Sequence, residues 1–298
     1  MYPSRLGKQV RMPTKRRDSA RSAKPDPSGQ LSRSEIREVE ERRPPRAAVI
    51  FETIRRDGDE ELNRPALSLA FSGLAAGMSM GFSLGAMGIL RAMLPDASWR
   101  PLVESFGYTV GFVIVILGRQ QLFTENTLTA VLPLLDSPDK LKTLVKIARL
   151  WAIVLAANIA GAFVFALVAA HTDAFAPAVR TAFASIAHQS IAGSDFGSLL
   201  VRAVFAGWLI ALVIWLMPSA EQSRPLILVL ITYVVGIGGF AHIVAGSVEV
   251  LYLVVIGHVT FLAYAAGFAL PVFLGNVIGG VAFVAMLNYG QVVAEAHG

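Results

Sequence analysis

Two short polar stretches interrupt otherwise apolar sequence, and they hold the residues best suited to chemistry. The first, Arg119-Gln-Gln-Leu-Phe-Thr-Glu-Asn126, lies inside an apolar run from Glu104 to Leu135. The second, Gly238-Gly-Phe-Ala-His-Ile-Val-Ala-Gly246, lies inside a run from Leu226 to Gly257. His242 is the notable residue of the second stretch. A lone histidine in a long apolar segment is expensive unless it is paired or functional. Its imidazole can donate a hydrogen bond to an anion, or a proton that makes a weak acid neutral enough to cross apolar constrictions. In the first stretch Thr124 is placed to cap a restarting helix, with Glu125 in its first turn. In the second, Ser247 can do the same with Glu249 nearby. Restarted helices then offer unsatisfied N–H groups near the membrane midplane, where an anion is favoured. Two glycine-kinked but continuous helices are the competing reading.

Other chemistry is sparse. The chain has no cysteine, which excludes disulfides, thiolate metal sites and cysteine nucleophiles. No two of the five histidines sit at ligand spacing on one helix turn, so neither a metal site nor a cofactor is expected. His171, His258 and His297 are expected in loops or at the terminus. Gly81-Phe-Ser-Leu-Gly85 matches the hydrolase nucleophile elbow, but that motif needs a strand–turn–helix and a histidine–acid pair. Here it falls inside an apolar helix, where small-residue packing explains it, and no enzyme is expected. Arg119 and Arg202 are expected to snorkel or to pair with an acid such as Glu125. Gly73, Gly77, Gly81 and Gly85 repeat every four residues, which permits close helix packing in lipid, either within one chain or between subunits.

The elements that must carry these residues follow from composition. The chain has 298 residues, 54% hydrophobic and 16% charged, with mean hydropathy +0.58. Residues 1–65 hold 27 of the 47 charged side chains. A soluble domain carries about 25% charged residues, so the remaining chain is read as integral to a membrane. Residues 1–46 are polar and proline-broken and are expected to be largely disordered, apart from a short charged helix from Ser34 to Arg43 with Ser34 as N-cap. Ala47 to Leu62 is weakly amphipathic and suited to the membrane surface. No signal peptide is expected. The basic tail, over residues 1–65, is read as lying against an anionic leaflet rather than binding nucleic acid, with a gating or docking role as the other possibility.

At about 20 residues per spanning helix, the expected spans are Leu67–Leu90, Glu104–Leu135, Leu144–Ala170, Gly197–Met217, Leu226–Gly257 and Gly267–Tyr289. The second and fifth are too long for one straight helix and contain the two polar stretches, so each is read as broken in mid-membrane. The fold expected is all-α: six transmembrane helices in two inverted three-helix repeats, with a pore where the broken helices meet. Basic residues in the tail, at Lys140, Lys142, Lys146 and Arg149, and at Arg224 place both termini in the cytoplasm of an inner-membrane protein. The membrane domain is taken as residues 66–290, with 291–298 as a cytoplasmic end.

Four motifs resemble a known family. Gly118-Arg-Gln-Gln-Leu-Phe-Thr124 is similar to the acidic-Leu-Phe-Thr loop of the formate/nitrite transporters, and Gly239-Phe-Ala-His242 to their Gly-Phe-Glu-His break. Phe196-Gly-Ser-Leu-Leu-Val-Arg202, followed by Trp208-Leu, matches their fourth helix, and Gly275-Asn-Val-Ile-Gly-Gly280 their sixth. The resemblance implies an aquaporin-like homopentamer with one pore per protomer, passing small monovalent anions or weak acids such as formate and nitrite. It makes His242 the central pore histidine, Thr124 its neighbour, Phe123 an apolar constriction and Asn276 a polar partner. Tyr108 and Phe112 become pore-narrowing side chains, and Gln121, Leu122, Glu125, Gly239, Phe240 and Gly246 belong to the break loops. Several residues depart from the pattern. Gln121 replaces the acidic residue, Ala241 the glutamate, Ala206-Gly207 a Cys-Asn pair, and Ser185–Asp195 lacks the usual lysine. These departures keep a second reading open, a neutral-solute pore or a membrane sensor signalling through the tail.

Overall fold

The computed structural model describes residues 31–297, so the expectations for the polar runs around Arg11–Arg17 and Pro25–Gly29 lie outside the described residues. Two compact units are present, with the division between Pro44 and Pro45. In the first, helix α1 (Arg33–Arg42) begins at a capping box on Ser32, two residues earlier than the expected Ser34 cap. The Glu35 N–H donates to Ser32 Oγ at 3.3 Å, while the Ser32 N–H donates to Glu35 Oε2 at 2.7 Å. These reciprocal bonds satisfy two donors that a helix start leaves open. Hydrogen bonds from the Ser32 side chain and then from its N–H hold the Glu35 carboxyl below its usual range.

The second unit contains α2 (Ala47–Leu62), α3 (Ala66–Met93), α4 (Arg100–Leu117), α5 (Phe123–Thr129), α6 (Leu132–Asp136) and α7 (Lys140–His171). It continues with α8 (Pro177–Ile191), α9 (Phe196–Ala220), α10 (Arg224–Ile237), α11 (Ile243–Val255) and α12 (Ala263–Ala294). Among the described residues, α3, α4, α7, α9 and α12 are long and apolar enough to cross a membrane, and α10 and α11 are apolar but shorter. The second span is therefore α4 continued by α5, and the fifth is α10 continued by α11. Both are broken as expected. Outward-facing Phe71, Phe82, Leu226 and Leu230 are more than half exposed, which suits a surface solvated by lipid rather than water.

The glycine ladder on α3 is spent within the chain. A Cβ on Gly77 would fall on the backbone of Asn158, one on Gly81 on the ring of Phe165, and one on Gly161 on the Leu74 carbonyl. The two backbones therefore run in near contact, as small residues permit in lipid. The second half repeats the arrangement: Gly207 abuts the Asn276 backbone and Gly279 the Val204 carbonyl. Ser83, the serine of the hydrolase-like motif, is buried between helices. Its hydroxyl donates to the Tyr108 carbonyl at 2.6 Å and accepts from the Gly111 N–H at 3.0 Å, so it is a strut rather than a nucleophile.

Two helices differ from expectation. The segment between the third and fourth expected spans, to which no helix is assigned above, forms α8, which starts at Pro177 and buries Ala182, Phe183, Ile186 and Ala187 on one face. The amphipathic segment α2 packs on protein rather than only on a membrane surface, and the second compact unit begins at Pro45. Phe51, Ile54, Gly58 and Leu62 form its buried stripe, and it lies against α5, α6 and α9. Gly58 closes this contact, because a Cβ there would land on the Thr129 carbonyl. Helix propensity alone favours alanine over glycine by about 1 kcal/mol, whereas overpacking against an unyielding backbone costs about 1–3 kcal/mol. Gly58→Ala is therefore expected to loosen α2. Hydrogen exchange over residues 47–62 should speed up, and unchanged protection there would refute this reading of the contact.

Candidate functional site

The two breaks are built alike. Gly118 to Leu122 separates α4 from α5, and Gly238 to His242 separates α10 from α11. In each, the first glycine ends the preceding helix, with its N–H donating at 2.9 Å to the Ile114 or Val234 carbonyl. The next residue is left-handed, Arg119 at φ 51° and Gly239 at φ 61°. The third N–H returns to the Val115 or Val235 carbonyl at 2.9 and 3.0 Å. The last residue is extended, Leu122 at φ −105° and His242 at φ −109°. Both restarts come earlier than the sequence suggested. Thr124, Glu125 and Phe123 lie in the first turn of α5, and Gly246 and Ser247 lie inside α11 rather than in the break loop. Ser247 is not the cap, since its hydroxyl turns back to the Ile243 carbonyl.

A buried asparagine holds each break from the far side of its half. The Phe123 N–H donates to Asn158 Oδ1 at 2.9 Å, and Asn158 Nδ2 donates to the carbonyls of Gly73 and Gln121, both at 2.8 Å. Correspondingly, the Ile243 N–H donates to Asn276 Oδ1 at 2.8 Å, and Asn276 Nδ2 donates to the carbonyls of Ala203 and Ala241 at 2.8 and 3.0 Å. The amide of Asn276 is thus occupied by backbone. Asn158 was missed by sequence reading, although Asn158-Ile-Ala-Gly161 and Asn276-Val-Ile-Gly279 share the same spacing.

Between the breaks, Thr124 Oγ1 and His242 Nε2 are 2.7 Å apart, and both residues are buried. His242 is itself the N-cap of α11, because its Nδ1 accepts from the N–H groups of Val244 and Ala245 at 3.3 and 3.2 Å. An accepting Nδ1 carries no proton, so the neutral ring holds its proton on Nε2 and donates it to Thr124. These bonds revise the expectation of open amide donors at the midplane. The α11 first-turn amides go to His242 and Asn276, and the leading α5 amide goes to Asn158. The cause is that unpaired backbone groups at membrane depth are costly. Phe112 stacks edge-on against His242 with centroids 5.0 Å apart and touches Tyr108 at 5.2 Å. Phe123 packs between Trp151 and Phe273 at 5.7 and 5.4 Å.

A cavity lies on either side of this pair. One, of about 220 Å³, is bounded on the α8 side and is lined by His242, Tyr108, Phe240, Arg202, Glu104 and Glu249 among others. The other, of about 540 Å³, lies on the α2 side and includes Arg119, Gln121, Glu125, Asp57, Glu60 and Arg224. Phe112, Phe123, Leu122 and Thr124 are fully buried and line neither.

The charged residues are disposed differently in the two cavities. In the first, Glu104 is held by Arg91 at 2.8 Å and by Arg100 at 3.0 Å. Among the described residues Arg202 makes no ion pair with an acid. Its Nε donates to the Gly239 carbonyl at 2.7 Å and its Nη1 to Ser194 Oγ at 2.9 Å, so it braces the second break. Glu249, two turns beyond His242 on α11, is buried and was not singled out from sequence as a site residue. In the second cavity Glu125 Oε1 is buried without a hydrogen-bond partner among the described residues. Gln121 of the break loop is tied to α5, its Oε1 accepting from Asn126 Nδ2 at 3.1 Å. On α2, burial pushes the Asp57 carboxyl up, and the charge of Arg119 opposes that shift.

Arg119 occupies a backbone region that costs an L-residue about 1–2 kcal/mol and that its counterpart Gly239 occupies freely. Arg119→Gly is therefore expected to raise unfolding free energy by about 1 kcal/mol. A detergent melt showing lower stability would mean that the guanidinium contributes more than the strain costs.

A family model described as "Formate/nitrite transporter" matches residues 48–290. The chain is 40% identical over 253 residues to the inner membrane protein YfdC of Escherichia coli, spanning 85% of this chain and 81% of the relative. It is 28% identical over 225 residues to the formate channel BtFdhC of Bacillus thuringiensis, spanning 73% and 83% respectively. Among solved structures, a pentameric formate channel with formate bound superposes with TM-score 0.66 at 18% identity, covering 76% of this chain and 98% of that one.

Proposed function

The chain belongs to the formate/nitrite transporter family, and from that premise we propose that it passes small monovalent anions or their weak acids through one pore per protomer. The Thr124–His242 contact carries this reading. Two distant helix breaks meet there in a single polar link, sealed by Phe112 and Phe123 and flanked by a cavity on each side. With the His242 Nε2 proton donated to Thr124, the threonine hydroxyl hydrogen is free for an anion. Leu122, Gln121, Gly239 and Phe240 shape the breaks, and Asn276 positions the second. Tyr108 narrows the approach from the α8 side.

The α2 side is the cytoplasmic side in this reading. Lys146 Nζ donates to Asn63 at 2.7 Å and Arg149 to the Arg64 carbonyl at 3.2 Å, both just past the end of α2, and Lys140 donates to the Leu134 carbonyl of α6 at 2.6 Å, so basic residues gather at the α2 and α6 end of the chain. Such a gathering is retained on the cytoplasmic face. The assembly is a homopentamer in an inner membrane, like the pentameric neighbour. Relatives named for a substrate are named for formate, which favours an anion over the neutral-solute and sensor readings. Uptake of formate, nitrite, acetate and hydrosulfide into proteoliposomes tests the proposal: at least one should enter faster than into empty vesicles. Entry of none would refute it.

A further inference from the structure

The polar link between the cavities cannot by itself protonate what passes. His242 has one ring proton, and it points at Thr124. Giving that proton away would leave an imidazolate. Taking up a second at Nδ1 would break the caps to Val244 and Ala245 and place a cation at the positive end of α11. The seal next to this ring is Phe112, fully buried, where an unpaired charge is strongly disfavoured. A weak-acid anion would cross such a seal far more readily as its neutral acid, and His242, held as it is, does not supply the proton for that.

Each cavity holds one carboxyl suited to the task. In the α8-side cavity Glu104 is committed to Arg91 and Arg100, and Arg202 to backbone and Ser194. Glu249 remains, buried beside Ser190 and making no ion pair among the described residues. It sits seven residues past His242, roughly 10 Å along the helix. The groups that face it are Arg91 from α3, Glu104 and Tyr108 from α4, Arg202 from α9, and His242 from its own helix. Tyr264 of α12 is engaged with Ser247, and His188 of α8 with His258 at 3.1 Å. In the α2-side cavity Glu125, the residue after Thr124, presents the unpartnered Oε1. It faces Asp57, Glu60 and Glu61 of α2, Arg119 of the break and Arg224 of α10.

We propose that Glu249 and Glu125 are the proton-loading and proton-releasing groups of the pore, one on each side of the Thr124–His242 seal. This rests on the anion-pore reading above and deepens it. In the inward direction the Glu249 carboxyl transfers its proton to the carboxylate oxygen of the arriving anion, leaving Glu249 ionised and the substrate neutral. Glu249 is reprotonated from water in its own cavity. Past the seal, the acid yields its proton to the Glu125 carboxylate, which returns it to water on the α2 side. One proton accompanies each anion, and no oxidation or reduction occurs.

The test uses the full chain in proteoliposomes, with radiolabelled formate outside, a pH-sensitive dye inside and the membrane potential clamped. For the wild type, each formate taken up should bring in one proton, and uptake should be insensitive to the clamped potential. Glu249→Gln keeps the side-chain volume but cannot carry a proton, so proton-coupled uptake should fall about tenfold or more. Glu125→Gln should show the same loss, while Glu249→Asp should keep the proton-to-formate ratio. Wild-type uptake that follows the potential without acidifying the lumen overturns the relay and leaves the anion-pore reading standing. So does coupled uptake by Glu249→Gln equal to the wild type. If Glu249→Gln does not elute from gel filtration as the wild-type assembly does, the wild-type ratio and Glu249→Asp decide. A wild type that moves none of formate, nitrite, acetate and hydrosulfide refutes the pore reading and the relay with it.

Discussion

Asn276→Leu is expected to destabilise the membrane domain by about 3 kcal/mol or more, with Asn158→Leu close behind. Leucine keeps the branching at Cγ and leaves no cavity, but its methyl groups are bulkier than the amide, so some overpacking adds to the loss of the hydrogen bonds. The Ile243 N–H and the Ala241 carbonyl would each lose the asparagine partner that holds the second break. A buried donor or acceptor left unpaired costs about 1–3 kcal/mol. Side-chain hydrogen bonds between membrane helices average only about 0.6 kcal/mol where the unfolded helix finds other partners. Here the unpaired groups are break-loop backbone with no helical alternative, so the larger figure applies. Unfolding in detergent with increasing SDS measures it directly. A loss under about 1 kcal/mol for both variants would show that water satisfies the breaks and that the asparagines are dispensable. Equal losses for the two would also establish that the two halves are mechanically equivalent.

The second large effect is on transport. His242→Ala removes a helix cap and the link to Thr124 together. The lost cap costs about 1–2 kcal/mol, and formate uptake is expected to fall by about tenfold or more, equivalent to at least about 1.4 kcal/mol of barrier. The two losses can be separated. His242→Asn supplies a side-chain oxygen for the α11 amides, so its stability should return toward wild type while its uptake stays low. Combining it with Thr124→Val should then add little further loss of uptake, because residues that act through one contact are not additive. Recovery of uptake in His242→Asn would assign the histidine to capping alone and remove it from the pore.

Local features were the legible ones. Span number, the positions of both breaks and the prominence of His242 all come from runs of apolar residues interrupted by polar ones, a property of neighbours along the chain. The restart of each helix was placed too late, because Thr124 and Ser247 look like caps by type, while Leu122 and His242 occupy the cap positions. Helix α8 is not legible in the sequence, since its single buried face shows only once α3 and α11 are there to cover it. The tail helix α2 looked like a membrane-surface element because its apolar stripe does not reveal what it is buried against.

The sequence by itself therefore determined a six-span chain of the formate/nitrite transporter kind with two interrupted helices, because hydrophobic length and short motifs are read locally. Only the tertiary structure decided how the interruptions are held and which polar groups face each cavity. The bonds responsible join residues 35, 33 and 118 positions apart, and nothing in the local pattern records those separations. Glu249 and Arg202 show the difference. In sequence they are one acid and one base among apolar residues, and the packing of α9 and α11 alone sets one into the cavity beside His242 and binds the other to the Gly239 carbonyl.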